Sequence, residues 1–100
     1  MKTKKQPPIH PGHVLKTVLE DAAITANALA LALRIPANRL TEIINGRRSI
    51  SADTALRLAR YFGTSAQMWM NLQAKYDLDA AEDAHADRIE AEVQPMQRAS

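Results

Sequence analysis

Residues 25–48 read TANALALALRIPANRLTEIINGRR, and the spacing of apolar side chains in this stretch decides the fold. Thr25 is a good N-cap for a helix whose inner face is Leu29, Ala30 and Leu33. Pro36 restarts the chain after a connection of only a few residues around Arg34 and Ile35. A second helix then buries Leu40, Ile43 and Ile44, and Asn45-Gly46 stops it in the left-handed manner. Ala30 is small enough to let the second helix cross closely, with Leu33, Ile35, Leu40 and Ile43 filling the angle between them. Such a pair is a helix-turn-helix, a motif whose second helix can lie in the major groove of DNA.

Working outward, the remaining chain reads as further helices, with almost no period-two alternation. Pro11 can open a helix with Val14, Leu15, Val18, Leu19 and Ala22 on one stripe. Ser51 caps a fourth helix with Ala55, Leu56, Ala59 and Phe62 expected inward, and Gly63 ends it. Thr64 or Ser65 caps a fifth helix carrying Met68, Trp69, Leu72 and Tyr76. Beyond Asp77 the chain turns Ala-rich and acidic, with Ile89 and Val93 as its large apolar anchors, and an isolated helix of that length is marginal in water. The expected organisation is a flexible basic arm at 1–8, a folded domain at 9–78, and an acidic, partly helical tail at 79–100.

Composition narrows the function. One hundred residues suit one domain, and 46% apolar with 24% charged residues is a globular balance. Cysteine is absent, which excludes a disulfide framework and a thiol nucleophile. No apolar run approaches the roughly 18 residues of a membrane span, and the basic start leads into no apolar stretch, so a cytoplasmic protein is expected. No nucleophile sits in a G-x-S-x-G context and no glycine-rich loop is available, so an enzyme is not expected. His10 and His13 are three apart, yet a metal site needs three or four ligands and no acidic cluster lies nearby; neither a metal nor a cofactor is expected. Charge is uneven. Residues 1–48 hold eight Lys/Arg against three Asp/Glu, whereas residues 77–100 hold two against seven. A basic front and acidic back suit a polyanion approaching from one side.

The solvent side of the third helix shows Ala37, Asn38, Thr41 and Asn45, with Arg39 at its flank and Glu42 among them. Short polar side chains of this kind read base edges: Asn pairs with adenine, Arg with guanine, Thr by methyl or hydroxyl. Arg47 and Arg48 follow where the exit loop meets the sugar-phosphate backbone, and Thr25 and Asn27 open the second helix with N–H groups suited to a phosphate. Met68 and Met70 lie about 160° apart around a helix, so one of them faces away from the core. Met68, Met70, Leu72 and Leu78 are the candidate surface for a second subunit.

The order Ile9-His10-Pro11-Gly12, the helix-turn-helix, then Ile44-Asn45-Gly46-Arg47-Arg48-Ser49-Ile50-Ser51-Ala52-Asp53-Thr54-Ala55 closely resembles the HigA antitoxins. The runs Leu56 to Ser65 and Trp69 to Gln73, with Tyr76, Asp77 and Leu78, continue the likeness across residues 9–78. The resemblance is to one branch of the Xre-like, lambda-repressor-like superfamily. It implies an all-α fold of about five helices, a homodimer, an inverted-repeat operator in double-stranded DNA, and a HigB-type ribonuclease toxin as partner. Two positions depart from the pattern: Arg34 stands where the motif turn usually has Gly, and His13 where Glu is common. A stand-alone repressor of the same fold and a helical protein-interaction adaptor remain alternatives. For the toxin contact, two surfaces stay open: the acidic tail, and residues 1–24, where Lys16 and Glu20 offer polar contacts.

Overall fold

The structure, a computed structural model, describes residues 7–97. Five helices follow in order: α1 (Pro11–Ala22), α2 (Ala26–Leu33), α3 (Ala37–Ile44), α4 (Ala52–Phe62) and α5 (Ala66–Glu92). Among the described residues there is no strand. Residues 1–6, most of the expected basic arm, lie outside the described part.

Four of the five helices start at a side-chain cap, α3 being the exception. The hydroxyls of Thr25, Ser51 and Ser65 accept from the N–H groups of Ala28, Thr54 and Met68. Caps of this kind stabilise a helix by about 1 kcal/mol each. Thr64, the other candidate cap for α5, instead accepts the Trp69 indole N–H at 3.1 Å. The ends of α1 and α2 share one device. Ile24 N–H reaches back to the Leu19 carbonyl and Ile35 N–H to the Ala30 carbonyl, each across a left-handed residue. Those residues are Ala23, φ 57°, and Arg34, φ 61°. The turn of the motif therefore keeps the conformation that glycine would adopt, at a cost of roughly 1–2 kcal/mol.

The core gathers Leu15 and Leu19 of α1, Leu29, Ala30 and Leu33 of α2, Leu40 and Ile43 of α3, Ala55 and Leu58 of α4, and Trp69 of α5. Ile35 and Ile50 close it from the two connecting loops. Two inward expectations are corrected. Leu56 is 63% exposed, and Leu58 occupies the core in its place. Leu58 lies three residues after Ala55, on the same helix face, whereas Leu56 lies about 100° away. Ala22 is also exposed, at the last turn of α1 where the chain leaves the core.

The boundary expected after Leu78 is not marked by a break. α5 runs 27 residues, about 40 Å at roughly 1.5 Å per residue. No Gly or Pro occurs between Gly63 and Pro95, so nothing local stops the helix, and the ion pair of Lys75 with Asp79 at 3.0 Å spans the expected junction. The distal half of α5 lengthens the molecule to 56 Å against widths of 28 and 21 Å.

Candidate nucleic-acid interface

Burial of Leu40 and Ile43 sets the rotation of α3. Ala37, Asn38, Thr41 and Asn45 then fall within about 100° of arc on the opposite side, and all four are exposed. Arg39 is half-buried at the flank. The Thr41 hydroxyl donates to the Ala37 carbonyl at 3.0 Å, which leaves its methyl and an oxygen lone pair facing outward. Pro36 precedes α3 and provides no side-chain cap, so no side chain engages the first N–H groups of this helix.

The other expected residues sit on either side. Thr25 and Asn27 are exposed at the start of α2, where the Thr25 oxygen accepts the Ala28 N–H at 3.0 Å. Arg47 and Arg48 are exposed in the loop after α3. Arg48 is not a loose cation: its Nε donates to Glu42 Oε1 at 2.8 Å. Along α5, Met68 and Leu78 are exposed, while Met70 and Leu72 are half-buried against the core.

Several residues that hold the interface in place carried no role in the sequence reading. His10 is the first. Its Nδ1 accepts the Gly12 N–H at 2.9 Å, capping α1, and its ring meets Tyr76 edge-on at 4.8 Å. The ring also lies beside Gly46, at the end of α3. Burial lowers its pKa below the ordinary 6.5, against the opposing pull of Asp77 and of the Arg48 backbone. Gln73, almost fully buried on α5, is the second. Its Oε1 accepts the Ile50 N–H at 2.8 Å, and its Nε2 donates to Asp77 Oδ1 at 3.0 Å. Arg57 is the third: it pairs with Asp53 at 2.8 Å and donates to the Leu33 carbonyl at 2.9 Å, tying α4 to the end of α2. A His before Pro is readable as a cap and Asp53 four residues before Arg57 as an ion pair, but nothing local marks Gln73 or the bond from Arg57 to Leu33. Among the described residues, no three His, Asp or Glu side chains gather as a metal site would require.

A helix-turn-helix family profile matches residues 15–69. An antidote protein of a HigA family from Coxiella burnetii is 49% identical, with 91% of this chain and 100% of that one aligned at a TM-score of 0.85. The Pseudomonas aeruginosa antitoxin HigA, solved with the higBA promoter, is 47% identical over 90% of this chain and 99% of that one, TM-score 0.87. The chain belongs to the HigA-type helix-turn-helix family. Virulence-associated protein I of Dichelobacter nodosus is also 49% identical over 79 residues, 78% of this chain and 73% of its own length. The chain is all-α, with five helices in a lambda-repressor-like arrangement, and the two solved HigA structures align with about nine-tenths of it. Neither departure from the HigA pattern disturbs the frame. Arg34 takes the left-handed turn itself, and the α1 cap comes from His10, so His13 is not needed there.

Proposed function

We propose that this chain is a dimeric DNA-binding antitoxin that acts in the cytoplasm, represses its own operon at an inverted repeat, and neutralises a HigB-type ribonuclease toxin. The observation that carries the DNA half is the exposed strip Ala37, Asn38, Thr41 and Asn45, followed directly by Arg47 and Arg48. Asn38 and Asn45 suit adenine, Arg39 suits guanine, and Thr41, with its proton committed to Ala37, suits a thymine methyl or a base amino group. Arg47, Arg48 and the α2 start at Thr25 and Asn27 take phosphates. The 47%-identical relative solved with its promoter supports a DNA-binding role for this chain.

One such motif reads only a few base pairs, so two copies related by a two-fold axis suit an inverted repeat. Met68 and Leu78 are the exposed members of the proposed dimer surface, while Met70 and Leu72 are half-buried against the core. The toxin half rests on family membership and on charge. A ribonuclease binds RNA through a basic surface, and the 79–100 tail is acidic. The chain works by binding, with no cofactor, metal or catalytic residue.

The experiment is titration of the purified protein against its own upstream DNA and random duplex at several salt concentrations. Expected is tighter binding to the upstream DNA with steep salt dependence on both. No preference between them overturns the repressor reading. Co-expression with a HigB-type ribonuclease separates an antitoxin from a stand-alone repressor: growth rescued by this chain supports the former, and no rescue the latter.

A further inference from the structure

Glu42 is the one acidic residue of α3, and it stands beside the strip proposed to read bases. A carboxylate there repels an approaching polyanion, so its presence needs a reason. Its Oε1 accepts the Arg48 Nε–H at 2.8 Å, and its backbone carbonyl accepts the Arg47 N–H at 2.8 Å. The rest of the loop is held from the other side. Gln73 accepts the Ile50 N–H at 2.8 Å and donates to the Ser49 hydroxyl at 3.4 Å, directly after Arg48. With backbone and side chain both fixed, the direction of the Arg48 guanidinium is set by Glu42. A guanidinium held through Nε keeps its two terminal nitrogens unspent, and those form the planar fork that matches a phosphate. Both side chains remain open to solvent, at 51% for Arg48 and 39% for Glu42, so the fork is accessible.

We infer that Glu42 is a positioning residue for DNA binding, gripping Arg48 by its Nε so that the terminal nitrogens meet one phosphate as a bidentate clamp. The inference rests on the reading of Arg48 as a phosphate ligand. An exposed ion pair contributes little to folding. Ordering a long side chain before binding, however, spares an entropy loss that corresponds to about two- to tenfold in affinity.

The sign of one substitution tests this. By charge alone, deleting a carboxylate from a DNA-facing helix strengthens binding; by positioning, it weakens it. Affinities of the full chain for its own upstream duplex and for random duplex are measured by fluorescence anisotropy, with thermal midpoints recorded for each variant. Glu42→Ala is expected to weaken both by about two- to tenfold. Glu42→Gln, which keeps an oxygen for Nε, recovers part of that loss. In an Arg48→Ala background, Glu42→Ala is expected to be neutral or to strengthen binding, because no fork is left to aim. Unchanged or tighter binding by Glu42→Ala with Arg48 present overturns the positioning role alone. If Arg48→Ala itself changes neither affinity nor salt slope, the phosphate role of Arg48 fails, and the positioning role fails with it.

Discussion

The backbone of Gly12 lies directly against the carbonyl of Ile43, so close that the first carbon of any side chain at residue 12 would overlap that oxygen. This approach seats the start of α1 on the last turn of α3. The obstacle is backbone, which cannot swing aside as a side-chain tip can. Gly12→Ala therefore has to push the two helices apart, at a cost of about 1–3 kcal/mol or more. The urea midpoint followed by Trp69 fluorescence should fall clearly; an unchanged midpoint would show that α1 is not pinned there.

Arg34 and Ala23 hold left-handed conformations with φ of 61° and 57°. Glycine relieves strain of roughly 1–2 kcal/mol at such a site but loses roughly 0.5–1 kcal/mol to its freer unfolded state. Arg34→Gly and Ala23→Gly should each raise stability slightly, by up to about 1 kcal/mol. The two turns share no partner, so the double variant should be close to additive in thermal or urea unfolding. A loss at either site would mean that the side chain contributes more than its strain costs.

Protonation of His10 opposes folding. Its Nδ1 already accepts the Gly12 N–H, and burial lowers its folded pKa below 6.5, which favours the neutral ring. Above pH 6.5 folded and unfolded chains both carry the neutral ring, and its full contribution to stability is present. As pH falls below 6.5 the unfolded chain takes up the proton first, so that contribution is lost progressively down through the folded value. His10→Asn keeps an acceptor at the capping position without a titrating ring. Unfolding free energy measured between pH 7.5 and 5 should fall more steeply for the parent chain than for this variant; parallel curves would remove His10 as the source.

Asn38 tests the base-reading strip separately from the phosphate clamp. Asn38→Ala should lose about 1–3 kcal/mol on the operator and little on random DNA. Arg47→Ala should weaken both and flatten the salt slope by about one unit. Equal losses by Asn38→Ala on the two duplexes would leave it a phosphate contact or a structural residue.

Truncation after Leu78 separates the distal half of α5 from the body. Every buried core residue precedes it, so the shortened chain should stay folded. If the acidic segment captures the toxin, neutralisation in cells is lost while operator binding by the dimer persists. Retained neutralisation moves the toxin contact to residues 1–24. For the dimer, Met68→Lys and Leu78→Lys place charges on exposed positions and should yield monomers in sedimentation; two intact dimers would point to another surface.

The number and order of the helices, the caps at Thr25 and Ser51 and the polar strip of α3 were legible in the sequence, and the α5 cap was narrowed to Thr64 or Ser65, because periodicity and capping are set by residues within a few positions of one another. The likeness to HigA rested on the same local runs. What lay beyond reach depended on how the helices turn against each other. Leu56 and Leu58 are equally apolar, and only the docking of α4 on its neighbours sends one outward and the other into the core. The continuation of α5 past Leu78, by contrast, was legible in the unbroken run from Gly63 to Pro95, and the expected boundary followed the change in composition instead. The supports of the loop after α3 come from far along the chain: the His10 ring beside Gly46, and Gln73 of α5 bonded to Ser49 and Ile50, reach it only after the five helices have packed. Gly12 shows the same limit, since the Ile43 carbonyl that forbids a side chain is brought to it by tertiary structure alone.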